Sequence, residues 1–552
     1  MTTEQESLAN VGLRLSETAR QMPAAVAVAM PTGRDADGRR MYASVTFQEL
    51  DEDTDRLAGG LLASGMKPGM RIALMVRPSI DFIALVFAMF KAGLVTVLID
   101  PGMGRRNLVR CLEEVEPDGF VAIPLAQAIR VVLRGRFPNA RHNVTVGRRW
   151  FWGGTTISQL RRRPASGFQS PPVDPDDPAA IIFTTGSTGP PKGVLYRHRN
   201  FSRQVDEIRD EYQIEPGEID LPGFPLFALF NAAMGVTTVV PDMDPTRPAE
   251  VDPETIVEHI RDWKVTQAFG SPALWNVVGR YCEQKQVQLP TLRRVLSAGA
   301  PVPPHVLRRM RAAMHPEGDM HTPYGATESL PVATTSATEV ISETAAATAL
   351  GKGVCVGHRF PGIRWQIIRI TDEPLPQLSD CEPLPPGEIG EIIVCGDVVT
   401  TEYVTRREAN ALHKIRDGQT FWHRIGDVGY LDPQDRFWFC GRKAHRVETD
   451  FGTMFTIPCE AIINQHEKVY RSALVTAGGI PVICVETWPE YRPASVAQRQ
   501  QLIQEIRELA ARHPLTGRIE HFLLHDSFPV DIRHNAKIFR EELGIWAAKK
   551  LS

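Results

Sequence analysis

The sequence runs to 552 residues, too long for a single hydrophobic core, so two or three domains are expected. Apolar residues make up 43% and charged residues 23%, the balance of an ordinary globular protein. Lys+Arg 62 against Asp+Glu 65 leaves a net charge of −3, so no overall field draws the chain to nucleic acid or to an anionic membrane.

In chain order, the acidic, polar start MTTEQESLANVG lacks the pattern of a secretory signal. From Arg71 the sequence reads RIALMV, then RPSIDFIALVFAMFKAG, then LVTVLID. A short apolar run, a stretch of helical length and a second β-rich run predict a βαβ unit. Pro78-Ser79 and Ala92-Gly93 fall where its helix should start and stop. The apolar run from Phe82 to Phe90 is closed by Lys91, far short of the about 20 residues that cross a bilayer. Pro164 to Pro178 is rich in Pro, Asp and Ser and reads as a surface connection. Alternation then resumes: Ala179 to Thr184, Val236 to Val240 and Val265 to Phe269 read as strands, Phe201 to Tyr212 and Pro253 to Trp263 as helices.

After about Gly353 the segments GIRWQIIRI, GEIGEIIVCG and RFWFCGR are short and turn-bounded, the texture of a β-rich subdomain. Beyond Arg442 come strands near Ser472 to Thr476 and Val482 to Glu486, a helix from Ala497 to His513 and a strand from His521 to His525. The expected fold class is α/β. Residues 1–441 form a large domain of layered sheets with a β-rich subdomain, and residues 442–552 a small α+β domain. The eight cysteines include no C-x-x-C pair and read as buried thiols of a reducing compartment. A soluble, cytoplasmic protein is expected.

The sharpest local signal is Thr184-Thr185-Gly186-Ser187-Thr188-Gly189-Pro190-Pro191-Lys192-Gly193, after the apolar strand AAIIF and before a helix. Closely spaced glycines and small hydroxyl residues let backbone N–H groups converge on an anion, and Lys192 adds positive charge. The pattern suits a polyphosphate. It is not a Walker A loop, because Pro191 and Gly193 stand where Gly and Ser/Thr are required.

This loop resembles the signature loop of the adenylate-forming enzymes: acyl-CoA synthetases, peptide-synthetase adenylation domains and luciferases. Further motifs follow in that family's order: Ser297-Ala298-Gly299-Ala300-Pro301, Tyr324-Gly325-Ala326-Thr327-Glu328, Gly426-Asp427, Cys440-Gly441-Arg442 and Asn535-Ala536-Lys537. The resemblance spans roughly Thr46 to Leu543 and implies a mobile C-terminal domain that begins at Arg442. It also implies ATP and Mg2+ as cofactors. Thr184, Thr185, Gly186, Ser187, Thr188, Gly189 and Lys192 would hold phosphate, and Gly299, Ala300 and Pro301 would line the adenine and acyl pocket. Tyr324 would stack on adenine beside Gly325, Thr327 would contact phosphate, and Glu328 would bind magnesium. Asp427 and Arg442 would hold ribose. Lys537 would be the catalytic lysine, bridging the substrate carboxylate and the α-phosphate as the carboxylate displaces pyrophosphate.

Two departures carry information. Ala228, in GFPLFALFN, stands where relatives often carry histidine or an aromatic residue, leaving room beside the carboxylate for a bulky acyl group. Leu229, Phe230 and Gly270 join it as expected substrate contacts. Glu448 replaces a lysine that, in relatives, assists the thiol step, and Ala444 stands where Asp or Lys is common. With FPVDIRHNAKIFREEL and YGATESLPV, these features resemble the branch that closes β-lactones in bacterial long-chain olefin biosynthesis. That branch implies a long-chain 2-alkyl-3-hydroxy acid whose own β-hydroxyl expels AMP, and association with other enzymes of its pathway. The alternatives are a long-chain acyl-CoA synthetase or acyl-AMP ligase and, in another class, a silent nucleotide sensor. The candidate bases for the hydroxyl are His198, His321, His358 and His423, none of them singled out by the sequence. Nucleic acid is disfavoured as a partner, since the compact basic run Arg161-Arg162-Arg163 lacks interleaved aromatics.

Overall fold

The computed structural model describes residues 9–184, 190–530 and 538–551. The βαβ unit forms as its pattern predicts: strand β1 (Arg71–Met75), helix α1 (Ile80–Lys91) and strand β2 (Val95–Leu98), with β1 and β2 parallel. The Ser79 side chain caps α1 by accepting the Phe82 N–H at 3.2 Å, and Gly93, at φ 68°, turns the chain out of it. Lys91 is not the exposed break its charge suggests. It is fully buried, with Nζ 2.6 Å from carboxylate oxygens of both Asp51 and Asp55. Two acidic partners let a cation sit in an otherwise apolar helix.

The first sheet continues with α2 (Arg105–Val115), β3 (Gly119–Ala122), α3 (Pro124–Val132), β4 (His142–Thr145), β5 (Thr155–Thr156), β6 (Pro178–Phe183) and β7 (Gly193–Arg197). Its strand order is β5-β4-β3-β1-β2-β6-β7, parallel except for the last pair. Successive side chains point to opposite faces, so Ile72 and Leu74 join a core with Phe87 of α1, while Ala73 joins one with Leu112 of α2.

One expectation is corrected here. The Gly-rich loop joins two antiparallel strands, not a strand to a helix, because Gly193–Arg197 pairs with β6 as an edge strand. Helix α4 (His198–Tyr212) follows only then. It begins three residues before Phe201 because the Asn200 side chain accepts the Arg197 N–H at 2.8 Å.

A second seven-stranded sheet has the order Asp319–His321, Arg294–Ser297, Gln267–Gly270, Ile219–Pro222, Thr237–Val239, Val26–Arg34, Arg40–Thr46. Helix α5 (Ala228–Met234) lies beside it. The expected β-rich region is an eight-stranded sheet that includes β8 (Tyr324–Ala326), β9 (Ser329–Thr334), β10 (Gly390–Cys395), β11 (Thr420–Leu431) and β12 (Arg436–Arg442). The antiparallel β11–β12 ladder sets Asp427 opposite Arg442. After a turn at Lys443–His445, strands Val469–Ala477, Ile480–Thr487 and His521–Leu524 make a separate three-stranded sheet, over a core that includes Leu474, Ile483 and Ile506. All eight cysteines are free thiols and seven are buried. No described helix is long and apolar enough to cross a membrane.

Candidate active site

Outside the carboxyl ends of β1, β2 and β6 lies a cavity of about 1420 Å³. That is where open α/β sheets bind ligands. Its polar end presents Thr184, Lys192, Gly299, Thr327, Glu328 and Arg442, six of the residues expected from the motifs. The base of the Gly-rich hairpin is fastened there. Thr184 N–H donates to the Lys192 carbonyl and Lys192 N–H to Thr184 Oγ1, each at 3.0 Å. Thr185, Gly186, Ser187, Thr188, Gly189 and Lys537 lie outside the described residues.

Glu328 is buried, and Tyr403 donates its hydroxyl to Glu328 Oε1 at 2.5 Å. Burial and the neighbouring carboxylate push the Tyr403 phenol far above its ordinary range, so it remains a donor. The same ring lies 5.1 Å from Lys192 Nζ and 5.5 Å from Lys414 Nζ, within cation–π range of both. Burial lowers the Lys192 ammonium's pKa, and Glu328 partly restores it. His413 Nε2 lies 3.3 Å from Lys192 Nζ, and its Nδ1 3.3 Å from the Arg424 carbonyl. Burial, assisted by Lys192, pushes His413 down to about 4, so its imidazole is neutral near pH 7.

Behind the polar end, Tyr324 donates its hydroxyl to Asp427 Oδ2 at 2.6 Å, and Arg442 Nη1 lies 3.0 Å from Asp427 Oδ1. The Asp427 charge raises the Arg442 pKa further. Gly325 lines the cavity, but Tyr324 and Asp427 do not. The Tyr324 ring leans on Phe437 at 5.7 Å instead. Ala298 and Gly299 line the cavity, whereas Ala300 and Pro301 lie just past it. Gly270 is also set back, because Leu274 and Trp275 stand in front of where its side chain would be. Its neighbours Phe269 and Ser271 are the lining residues.

The rest of the cavity is apolar and has two walls. On the α1 face, Ile83, Phe87 and Phe90 meet Leu229 and Phe230 of α5. Ala228 opens α5, and its side chain falls outside the described residues. On the opposite face, Leu108 and Leu112 of α2 meet Ile123 and Ala126 at the start of α3. Of the histidines the sequence put forward, none lines the cavity. His198 is core, its Nδ1 accepting the Val11 N–H at 3.3 Å, and His423 is fully buried with Nδ1 3.1 Å from the His413 carbonyl. His321 packs on Tyr212 at 5.2 Å, and His358 is exposed. Tyr403 and His413 carried no motif. They reach the site through the connection that precedes β11, which spacing alone cannot place.

Glu328 is a hard oxygen donor on the cavity wall, and no three metal-ligating side chains converge anywhere among the described residues. That suits magnesium, which takes one or two carboxylates and fills its shell from phosphate and water. Lys192, Arg406 and Arg442 concentrate positive charge at the same end, as a polyphosphate requires.

The Gly-rich sequence between two antiparallel strands, the buried carboxylate among cations and the apolar cavity on this α/β frame are those of an adenylate-forming enzyme. The sequence profile of the AMP-binding enzymes matches residues 15–404. The chain belongs to the AMP-binding enzyme family, an AMP-forming ligase that uses ATP with magnesium. It is 45% identical to an olefin beta-lactone synthetase of Xanthomonas campestris pv. campestris, over 99% of this chain and 98% of that one. It is 46% identical to an olefin beta-lactone synthetase of Stenotrophomonas maltophilia, over 98% of each. Among solved structures, the anthranilate CoA ligase AuaEII in complex with anthranoyl-AMP superposes with a TM-score of 0.78 at 16% identity, over 98% of both chains. The amide bond synthetase McbA from Marinactinospora thermotolerans gives 0.77 at 22% identity, over 97% of this chain and 99% of that one. These two likenesses concern the fold.

Proposed function

We propose that the chain adenylates a long-chain 2-alkyl-3-hydroxy acid and closes it to a β-lactone. The observation that carries this reading is the cavity itself. Two apolar walls on opposite faces of the first sheet meet at one polar end, which suits a carboxylate whose α-carbon bears one chain and whose β-carbon begins another. The full-length likeness to two enzymes named olefin beta-lactone synthetases supports the same chemistry.

In the first half-reaction a carboxylate oxygen attacks the α-phosphorus of ATP in line, and the bond to pyrophosphate breaks. Positioning and charge neutralisation do most of this work. The Gly-rich hairpin with Thr184 and Lys192 holds phosphate, Gly299 and Gly325 border the base, and Thr327 faces phosphate. Glu328, oriented by Tyr403, would hold magnesium, which would supply charge neutralisation for the pyrophosphate. Arg442, on the cavity wall, reaches the ribose, with Asp427 behind it steadying the guanidinium and Tyr324 keeping Asp427 in place. The small domain, residues 442–552, brings Lys537 to the carboxylate and α-phosphate. In the second half-reaction the β-hydroxyl oxygen attacks the acyl carbon and the bond to AMP breaks. The hydroxyl proton goes to His413 Nε2, which can accept it once Lys192 Nζ, 3.3 Å away, turns to phosphate, with Nδ1–H donating to the Arg424 carbonyl.

No thiol enters this scheme. Glu448, at the position where relatives keep a lysine, is tied to Arg446 Nε and Thr453 Oγ1, each at 2.6 Å. Incubation with ATP, magnesium and a long-chain 2-alkyl-3-hydroxy acid, with CoA left out, is expected to yield AMP, pyrophosphate and a product with the infrared carbonyl band of a β-lactone. Acyl-AMP as sole product, or strict dependence on CoA, overturns the proposal in favour of an acyl-AMP ligase or acyl-CoA synthetase.

His413→Ala is expected to separate the two half-reactions. Pyrophosphate release should stay within a few-fold of wild type while lactone formation falls by about 100- to 10,000-fold, the usual contribution of a general base. Equal loss in both steps removes His413 from the role of base.

A further inference from the structure

The balanced charge of the whole chain hides a local excess. Residues 119–173 hold nine arginines and no Asp, Glu or Lys. Arg161 is paired with Asp53 and Asp81, and Arg136 reaches Glu113 at 3.7 Å. Arg134, Arg141 and Arg148 are exposed, with no carboxylate within ion-pair distance among the described residues.

The same segment exposes large apolar side chains. Leu125, Ile129 and Val132 of α3 are 66%, 47% and 82% exposed, at the i, i+4, i+7 spacing of one helix face. Trp150 and Phe151, in the loop after β4, are 60% and 76% exposed. That loop is anchored, since the Trp152 indole N–H donates to Thr145 Oγ1 at 2.9 Å. It also lies against the start of α3: a Cβ on Gly147 would come 3.7 Å from Pro124 Cδ. Helix face and aromatic pair therefore project from the same edge of the first sheet. Leu125 and Ile129 line the cavity as well, so the wall between α2 and α3 runs out to this surface.

We propose that this face docks on an anionic lipid bilayer, so that the acyl substrate passes from lipid into the cavity without crossing water. Bulky Trp, Phe, Leu, Ile and Val side chains framed by arginines are what an interfacial element presents to lipid. Anionic headgroups attract the arginines, while acyl chains take up the apolar tips. A nucleic acid offers nothing to an aliphatic helix face. The identity of what enters rests on the reading above. The docking does not, because it needs only the charge and apolar exposure of this face.

The test is co-sedimentation of the full chain with vesicles of phosphatidylglycerol and phosphatidylcholine, or of phosphatidylcholine alone. Binding is expected to the anionic vesicles, to weaken as salt rises, and to fall at least about tenfold in Trp150→Asp/Phe151→Asp. That variant should release pyrophosphate at the wild-type rate with a short, water-dispersible 3-hydroxy acid. Absent binding, equal binding to both vesicle types, or undiminished binding by the variant overturns the proposal. So does a wild-type dimer, seen by light scattering, that the variant splits and that ignores vesicles. Vesicle binding with no pyrophosphate release from any hydroxy acid upholds the docking and refutes the catalytic reading instead.

Discussion

Lys537→Ala is expected to lower substrate-dependent pyrophosphate release about 100- to 1000-fold, the loss that follows removal of one preorganised donor to a charged transition state. Negative charge gathers where the carboxylate meets the α-phosphate, and an ammonium there stabilises the transition state more than either reactant. The fold should survive, because the structure on both sides of this lysine is independently anchored. Val530 and Ile538 pair as an antiparallel bridge, the Phe539 N–H donates to the Pro529 carbonyl, and Arg540 is held by Glu460 at 2.5 Å. The measurement is pyrophosphate release alongside a thermal melt. A normal melt with wild-type release removes Lys537 from the mechanism, and a collapsed melt makes the residue structural.

The second large effect concerns stability at the start of the C-terminal segment. Glu391 and Arg424 are each 1% exposed and 2.6 Å apart, and Lys443 Nζ lies 3.1 Å from the same Glu391 oxygen. One buried carboxylate thus holds two cations, on strands that carry Asp427 and lead out of Arg442. Glu391→Ala is expected to cost about 3–5 kcal/mol, since it strands the buried Arg424 without a counter-charge and leaves Lys443 only the more distant Asp372. Glu391→Gln should recover little, because the shape returns but the charge does not. Thermal or urea unfolding of both variants reads this directly. A Gln variant that melts like wild type would mean that shape and hydrogen bonding, not charge, hold the junction.

Much of this molecule is legible before folding, and the failures have physical causes. The βαβ unit around Phe82–Phe90 and the strands after Arg442 follow from apolar runs and turn residues, which act locally. The Gly-rich loop's hairpin does not, since VLYR is too short to declare itself until it pairs with β6. Lys91 reads as a break, yet its burial depends on Asp51 and Asp55 forty and thirty-six positions earlier. The family could be named from the order of its motifs. The convergence of Lys192, Gly299, Thr327, Glu328 and Arg442 on one cavity end is a matter of sheet packing that spacing only implies. Tyr403 and His413 were invisible for the same reason: each is defined by a partner far along the chain, Glu328 for one and Lys192 for the other.

The two apolar walls also bear on how such a site can change over evolutionary time. Because a β-sheet separates Phe87 from Leu112, the two walls share no side chains and belong to different cores. Each acts as its own ruler. A substitution in α1 can lengthen the room for one hydrocarbon chain while α2 and α3 keep the other measure unchanged. A lineage can then alter the two halves of a branched product one at a time, without passing through a protein that accepts neither.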